Sequence, residues 1–217
     1  MTVTAESLPL LECRSLELRA GYRTLIRNFD LQLWSASALA VTGPNGLGKT
    51  TLLRTLCGVS RPFKGTVAIH GLSLWPEKSE VLNQDICFFA SQPALFHDHP
   101  VQSNVEYYMR AMGRVFQTQE VSRALQRVGL GERLTQTART LSTGQKRRLT
   151  LALLLLSKPK IVLLDEPSNG LDADGVELCL SVLEQLRTDG CGILVATHDQ
   201  KIVEWCTSAV NLKEWSK

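Results

Sequence analysis

Four kinds of chemistry-bearing segment stand out along the chain. Gly43-Pro44-Asn45-Gly46-Leu47-Gly48-Lys49-Thr50 fits the pattern G-x-x-x-x-G-K-[ST], with Thr51 after it. Glycines let such a loop turn tightly, so that several backbone N–H groups point into one concavity. A helix starting there adds its positive end, the lysine reaches β- and γ-phosphates, and the Thr50 hydroxyl can ligate Mg²⁺. Thr51 adds a further possible phosphate hydrogen bond. Ile161-Val162-Leu163-Leu164-Asp165-Glu166-Pro167 is an apolar run ending in two acids. Alone it reads equally as a solvated acidic turn. Beside a phosphate loop, Asp165 suits a Mg²⁺ shell through water, and Glu166 lies where a base would polarise an attacking water. His198 and Gln92 each follow a short apolar run. His198 is expected to contact a γ-phosphate or orient the Glu166 water, and Gln92 to touch Mg²⁺ or water.

The elements that must position these groups are strands alternating with helices. Short apolar runs at 38–42, 87–90, 161–164 and 192–196 read as strands, the third apolar on both faces as in a covered parallel sheet. Helices are expected at 49–57, 142–156, 175–186 and 200–206, and a more polar helical pattern over 101–141. Nearer the N-terminus, 10–18 and 29–34 read as strands, with a turn at Ala20-Gly21-Tyr22-Arg23, and 66–70 as another. Ligands of parallel α/β sheets bind at the carboxyl ends of the strands. The phosphate loop, Gln92, the two acids and His198 all follow such ends, so one sheet edge gathers them.

Ser142-Thr143-Gly144-Gln145 precedes a helix. Ser142 is a good N-cap, and the open backbone N–H groups around Gly144 make either a simple capped helix or a second phosphate site.

Composition bounds the rest. The chain has 217 residues, 44% hydrophobic and 21% charged, with a formal net charge of +3. That is ample for a core without cross-links and too weakly basic to argue for nucleic acid. The six cysteines contain no CxxC pair, so reduced buried thiols are expected rather than zinc or disulfides. Leu149–Leu156 is too short to span a bilayer, which needs about 20 apolar residues, and MTVTAESLPLLECR has no signal-peptide core. His97 and His99 read as an exposed polar loop rather than ligands.

Taken together, the phosphate loop, Gln92, Leu141-Ser142-Thr143-Gly144-Gln145, the Asp165-Glu166-Pro167 strand end, Ser168-Asn169-Gly170-Leu171-Asp172 and His198 resemble, in order and spacing, an ATP-binding cassette (ABC) ATPase over nearly the whole chain. The resemblance implies an α/β P-loop NTPase fold in one domain, 1–217. Its RecA-like parallel core and N-terminal antiparallel β subdomain would occupy 1–91 and 158–217, and a small helical signature subdomain about 92–157. It further implies ATP and Mg²⁺ as ligands and a second cassette as partner, a homodimer in the simplest case. In that dimer Ser142, Gly144 and Gln145 of one copy contact ATP held by the other, and Asp172 crosses the seam. Separate membrane subunits would make the chain peripheral at the cytoplasmic face of an inner membrane, or at a matrix or stromal face. Phe96, Tyr107, Tyr108 and Met109 are candidate contacts for them.

Three departures stand out. Thr143 replaces a usual glycine, SNGLD replaces SALD, and Ala20 stands where an adenine-stacking aromatic usually lies. Tyr22 either stacks on adenine instead or is an exposed turn residue. Compactness, the Gln92-Pro93 pair and the runs 171–176 and 195–199 resemble the ATPase subunit of the cytochrome c maturation haem exporter. Another transporter, a soluble ABC ATPase or a small-molecule P-loop kinase are the alternatives.

Overall fold

A computed structural model describes residues 8–75, 85–92 and 94–216; the start of the N-terminal segment and Pro93 lie outside the described residues. Strands β1 (Leu11–Ala20) and β2 (Arg23–Leu33) form one antiparallel hairpin around Gly21 and Tyr22. The sequence reading began the second strand only at Phe29. The pairing runs on through Ile26 opposite Leu18 to Arg23 opposite Ala20. Register shifts beyond Cys13 and around Leu18, with Ser15 at φ 47° and Asn28 at φ 49°, break the two-residue alternation that would have marked it. β4 (Lys64–Ile69) pairs with the other edge of β1, and β5 (Leu72–Ser73) with β4.

The second sheet is parallel, in the order β6 (Ile86–Phe89), β7 (Ile161–Asp165), β8 (Gly192–Ala196), β3 (Ala38–Thr42) and β9 (Ser208–Asn211). The sequence reading lacked β9. Its SAVN is short and largely exposed and pairs only with β3, so it carries no apolar run. Burial on both faces explains the other four. In β7, Val162 and Leu164 face a core shared with the helices, while Ile161 and Leu163 face the core under the antiparallel sheet.

Six helices surround this sheet among the described residues: α1 (Lys49–Leu56), α2 (Val101–Ala111), α3 (Thr118–Arg127), α4 (Thr143–Ser157), α5 (Ala173–Thr188) and α6 (Gln200–Trp205). The helical pattern read over 101–141 is two helices and two 3₁₀ turns, Gly131–Arg133 and Ala138–Thr140, with positive-φ breaks at Gly113 and Gly129. Ser142 caps α4 by accepting from the Gln145 N–H while the Gln145 side chain accepts from the Ser142 N–H. Asp172 caps α5 by accepting from the Gly175 N–H at 2.8 Å.

All six cysteines are free thiols, and all but Cys206 are buried. Burial pushes Cys13, Cys179, Cys191 and Cys206 up to about 12 and Cys87 up to about 11. A thiol held protonated in the fold stabilises it below the unfolded pKa of about 8.5, and that contribution is lost as pH rises toward the folded value. Iodoacetamide at pH 8 is therefore expected to leave Cys13, Cys87, Cys179 and Cys191 unmodified in the folded chain and to modify them once urea is added. Mass spectrometry reads the count, and rapid alkylation of the folded chain at these four would contradict it.

Candidate functional site

Strand β3 ends at Thr42, and the chain turns through the glycine-rich loop into α1. Gly48 sits at φ 102°, and a Cβ there would lie 3.0 Å from the Leu25 side chain. The position therefore demands both the left-handed backbone and the missing side chain. No acidic residue occupies the first turn of α1, which leaves its positive end open to an anion. Lys49 is 7% exposed, and its Nζ donates to the Gly43 carbonyl at 2.7 Å and toward the Pro44 carbonyl at 3.5 Å. The ammonium is thus held across the loop that the phosphates would enter. Gly46, Gly48, Lys49 and Thr50 line a cavity of about 310 Å³ together with Asp165 and Glu166 from the end of β7.

Asp165 is the last residue of β7 and is 3% exposed; its Oδ2 accepts from the Thr50 hydroxyl at 2.7 Å. Alternation along a strand would send Glu166 to the opposite face. Glu166 instead takes φ 50°, a conformation uncommon outside glycine, while its N–H still donates to the Ala196 carbonyl of β8 at 2.8 Å. That backbone turn places both carboxylates on the cavity. Glu166 Oε2 lies 2.9 Å from His198 Nδ1, and at 3.4 Å it accepts from the Thr197 hydroxyl and the His198 N–H. The His198 side chain is 77% exposed, so the ring bridges the partly buried carboxylate and solvent. Thr50 and Asp165 offer hard oxygen donors and no nitrogen or sulfur, which fits Mg²⁺ completed by phosphates and water.

Ser142, Gly144 and Gln145 do not join this cavity. They line another, of about 600 Å³, with Asp172, Gly170 and Arg148. The two cavities share no lining residue. The segments around Gly144 and Gly170 are packed against each other: a Cβ on Gly144 would sit 2.9 Å from the Gly170 carbonyl oxygen, and one on Gly170 2.7 Å from Thr143 Cγ2. One chain therefore carries a phosphate cavity at one place and an open, capped helix N-terminus at another.

Residues 26–169 match the ABC transporter family. This chain belongs to that family. Among its relatives, a putative ABC transporter ATP-binding protein of Methanosarcina mazei is 32% identical over 92% of this chain. The cytochrome c biogenesis ATP-binding export protein CcmA of Nitrosomonas europaea is 32% identical over 95% of this chain and 97% of its own length. The chain spans only 41% of the length of the Methanosarcina relative. A solved dimeric post-hydrolysis ATP-binding cassette, MJ0796 with ADP and Pi bound, superposes with a TM-score of 0.84 at 22% identity over 93% of each chain, a likeness of fold. The antiparallel sheet, parallel sheet and flanking helices are those of an ABC ATPase.

Within this ABC cassette the sequence-predicted residues divide plainly. The phosphate loop, Asp165, Glu166 and His198 converge. Gln92 is exposed and does not line the phosphate cavity, although its neighbour Ser91 does. Tyr22 is fully exposed and lines an adjoining cavity with Arg23, Arg27 and Gly46, whereas Ala20 lines the phosphate cavity itself. His97 and His99 are exposed, as expected. Of the four candidate membrane-subunit contacts, Met109 is 1% exposed and Tyr108 stacks on Phe89 at 5.8 Å, its phenol pushed up to about 12 by burial. Phe96 and Tyr107 are exposed and touch edge to face at 4.4 Å. Among the described residues, no helix is long and apolar enough to cross a membrane.

Sequence reasoning missed two residues here. Thr197 is fully buried, and its hydroxyl reaches Glu166. Arg147 reads as one of three flanking cations, Lys146-Arg147-Arg148, yet it is 3% exposed and reaches the backbone before Gln92. Burial lowers the pKa of its guanidinium, opposed by Cys179, Asp165 and Glu166. Only its place on the inward face of α4, one helical turn from Leu151, could have marked it.

Proposed function

We propose that two copies of this chain close head to tail around two ATP molecules and hydrolyse them to drive a separate membrane subunit. The observation that carries this reading is the division of the site. A phosphate cavity with a base stands apart from a capped helix start and seam loop that would complete it on a sister copy.

In this reading the loop N–H groups and Lys49 hold the β- and γ-phosphates. Thr50 and, through water, Asp165 would hold Mg²⁺, which would neutralise charge on the γ-phosphoryl group; Gln92, which lies outside the cavity here, would have to turn inward to join them. The Glu166 carboxylate takes a proton from water as the water oxygen bonds to the γ-phosphorus and the bond to the ADP oxygen breaks. His198 Nδ1 and the Thr197 hydroxyl keep Glu166 aimed. From the partner copy, Ser142, Gly144 and Gln145 would donate to the γ-phosphate, with Asp172 at the seam. Moving a population from 1:99 to 99:1 takes about 5.5 kcal/mol. Hydrogen bonds to a charged group contribute roughly 1.5–3 kcal/mol each, so two or three at each of two sites suffice. Tyr22, which lines a cavity with Gly46, would stack on the adenine.

The domain division follows the same reading, with 92–157 as the signature subdomain and the rest as the catalytic core. Phe96 and Tyr107 form the contact surface for the membrane subunit, and the chain sits peripherally on the cytoplasmic side. Haem export in cytochrome c maturation is the proposed cargo pathway, supported by the likeness to CcmA over 97% of that protein's length.

The test is extraction of the tagged full chain from its native membranes in mild detergent. Membrane-embedded, haem-handling partners and ATP-dependent phosphate release by the complex are expected. Other transporter subunits in their place would overturn the haem assignment. Recovery only in the soluble fraction without membrane partners would overturn the transport assignment.

A further inference from the structure

Among the described residues, Arg147 is a buried cation with no carboxylate bonded to it. It sits one helical turn after the Ser142 cap, is 3% exposed, and stretches off α4 toward the end of β6. Its Nη1 donates to the Ala90 carbonyl at 3.0 Å, and its Nη2 donates to the Ser91 carbonyl. Its Nε is buried with no partner. A guanidinium held by neutral carbonyls with one N–H unmatched is a costly way to fill core space, and an aliphatic chain of similar volume packs there at less cost. What the guanidinium adds is a two-pronged tie between two elements. Ser91 lines the phosphate cavity, Gln92 follows it, and Ser142 caps the helix from which Arg147 projects. Phosphate cavity, Ser91 backbone, Arg147 and the start of α4 thus form one contiguous bonded path. A planar fork suits two successive carbonyls, whereas a lysine ammonium is a point donor on a flexible stem.

We propose that Arg147 is a positioning residue that ties the orientation of the signature helix to the nucleotide-facing segment Ala90–Gln92, so that Ser142 and Gly144 are presented to a partner copy only when that segment is engaged by nucleotide. This inference rests on the head-to-tail reading above.

The test uses the full chain carrying Glu166→Gln, with Mg-ATP. The dimer dissociation constant is measured by analytical ultracentrifugation, and the nucleotide affinity of the dilute monomer with a fluorescent ATP analogue. Adding Arg147→Met is expected to weaken the dimer by about tenfold or more, within the usual span of coupling between sites, with monomer nucleotide affinity changed less than about twofold. Arg147→Lys should fall between the two. Should the Met variant fail to fold, judged by its thermal melt, the Lys variant decides: it should fold, bind the analogue normally and dimerise more weakly than the parent. Dimerisation equal to the parent in a folded variant overturns the proposal. So does an equal loss of monomer nucleotide affinity, which would mark Arg147 as a general support of the cavity. If Glu166→Gln alone stays monomeric with its nucleotide bound, the head-to-tail reading fails before Arg147 is tested.

Discussion

Glu166→Gln is expected to lower ATP turnover by about 10²–10⁴-fold, the range of a positioned general base, while leaving nucleotide affinity nearly unchanged. Glutamine keeps the size and most of the hydrogen bonding of the side chain. It can still accept from the Thr197 hydroxyl and the His198 N–H, which approach one oxygen, Oε2, of the native carboxylate. What it loses is the ability to take a proton from water. Lys49, Thr50 and Asp165 are untouched, so the phosphates are still held, and the product state that would release the partner copy is not reached. The variant should therefore elute as a dimer with ATP and Mg²⁺ and as a monomer with ADP. A steady-state phosphate assay and gel filtration measure both halves. Turnover at the parental rate would remove Glu166 from the base role.

Mixing two inactive variants should restore activity. Lys49→Ala disables the phosphate cavity. Gly144→Val disables the signature, because any side chain there meets the Gly170 carbonyl at 2.9 Å and must displace the seam loop. Each variant alone should hydrolyse ATP at the background rate. In a mixed dimer, one composite site joins both defects, and the other joins the intact cavity of the Gly144 variant to the intact signature of the Lys49 variant. Half of randomly paired dimers are mixed and each has one working site, so turnover should return to roughly a quarter of the parental level if sites act independently. Sites built within a single chain would recover nothing on mixing, and that outcome would end the head-to-tail reading.

How much of this was open to reading from residues alone depended on how local the determinants were. The loop 43–50 and the run 161–166 declare themselves because spacing and apolar character are local, and both fall where expected. That Glu166 could share an edge with Asp165 was legible, but the means was not. A left-handed φ at a glutamate is imposed by neighbours, including the Ala196 carbonyl that accepts its N–H, and no pattern within the strand encodes it. The start of β2, residues 23–28, was missed because the register shifts around Leu18 and the left-handed Asn28 disturb the alternation on which strand reading depends. β9 was missed because an exposed edge strand needs no apolar run. Arg147 was hidden by its neighbours, since a cation between two cations reads as a solvated patch until the helix face is known. Met109 and Tyr108 failed as partner contacts for the converse reason: an amphipathic helix shows an apolar face without showing whether its own fold already covers it.

The tight seating of Gly144 against Gly170 limits how the two chains can meet. There is no room for even a methyl group between the helix start and the neighbouring loop, so in the proposed dimer the two are expected to approach the opposite chain's nucleotide together. Engagement at that face is then expected to be concerted, with the helix start and the loop docking as one.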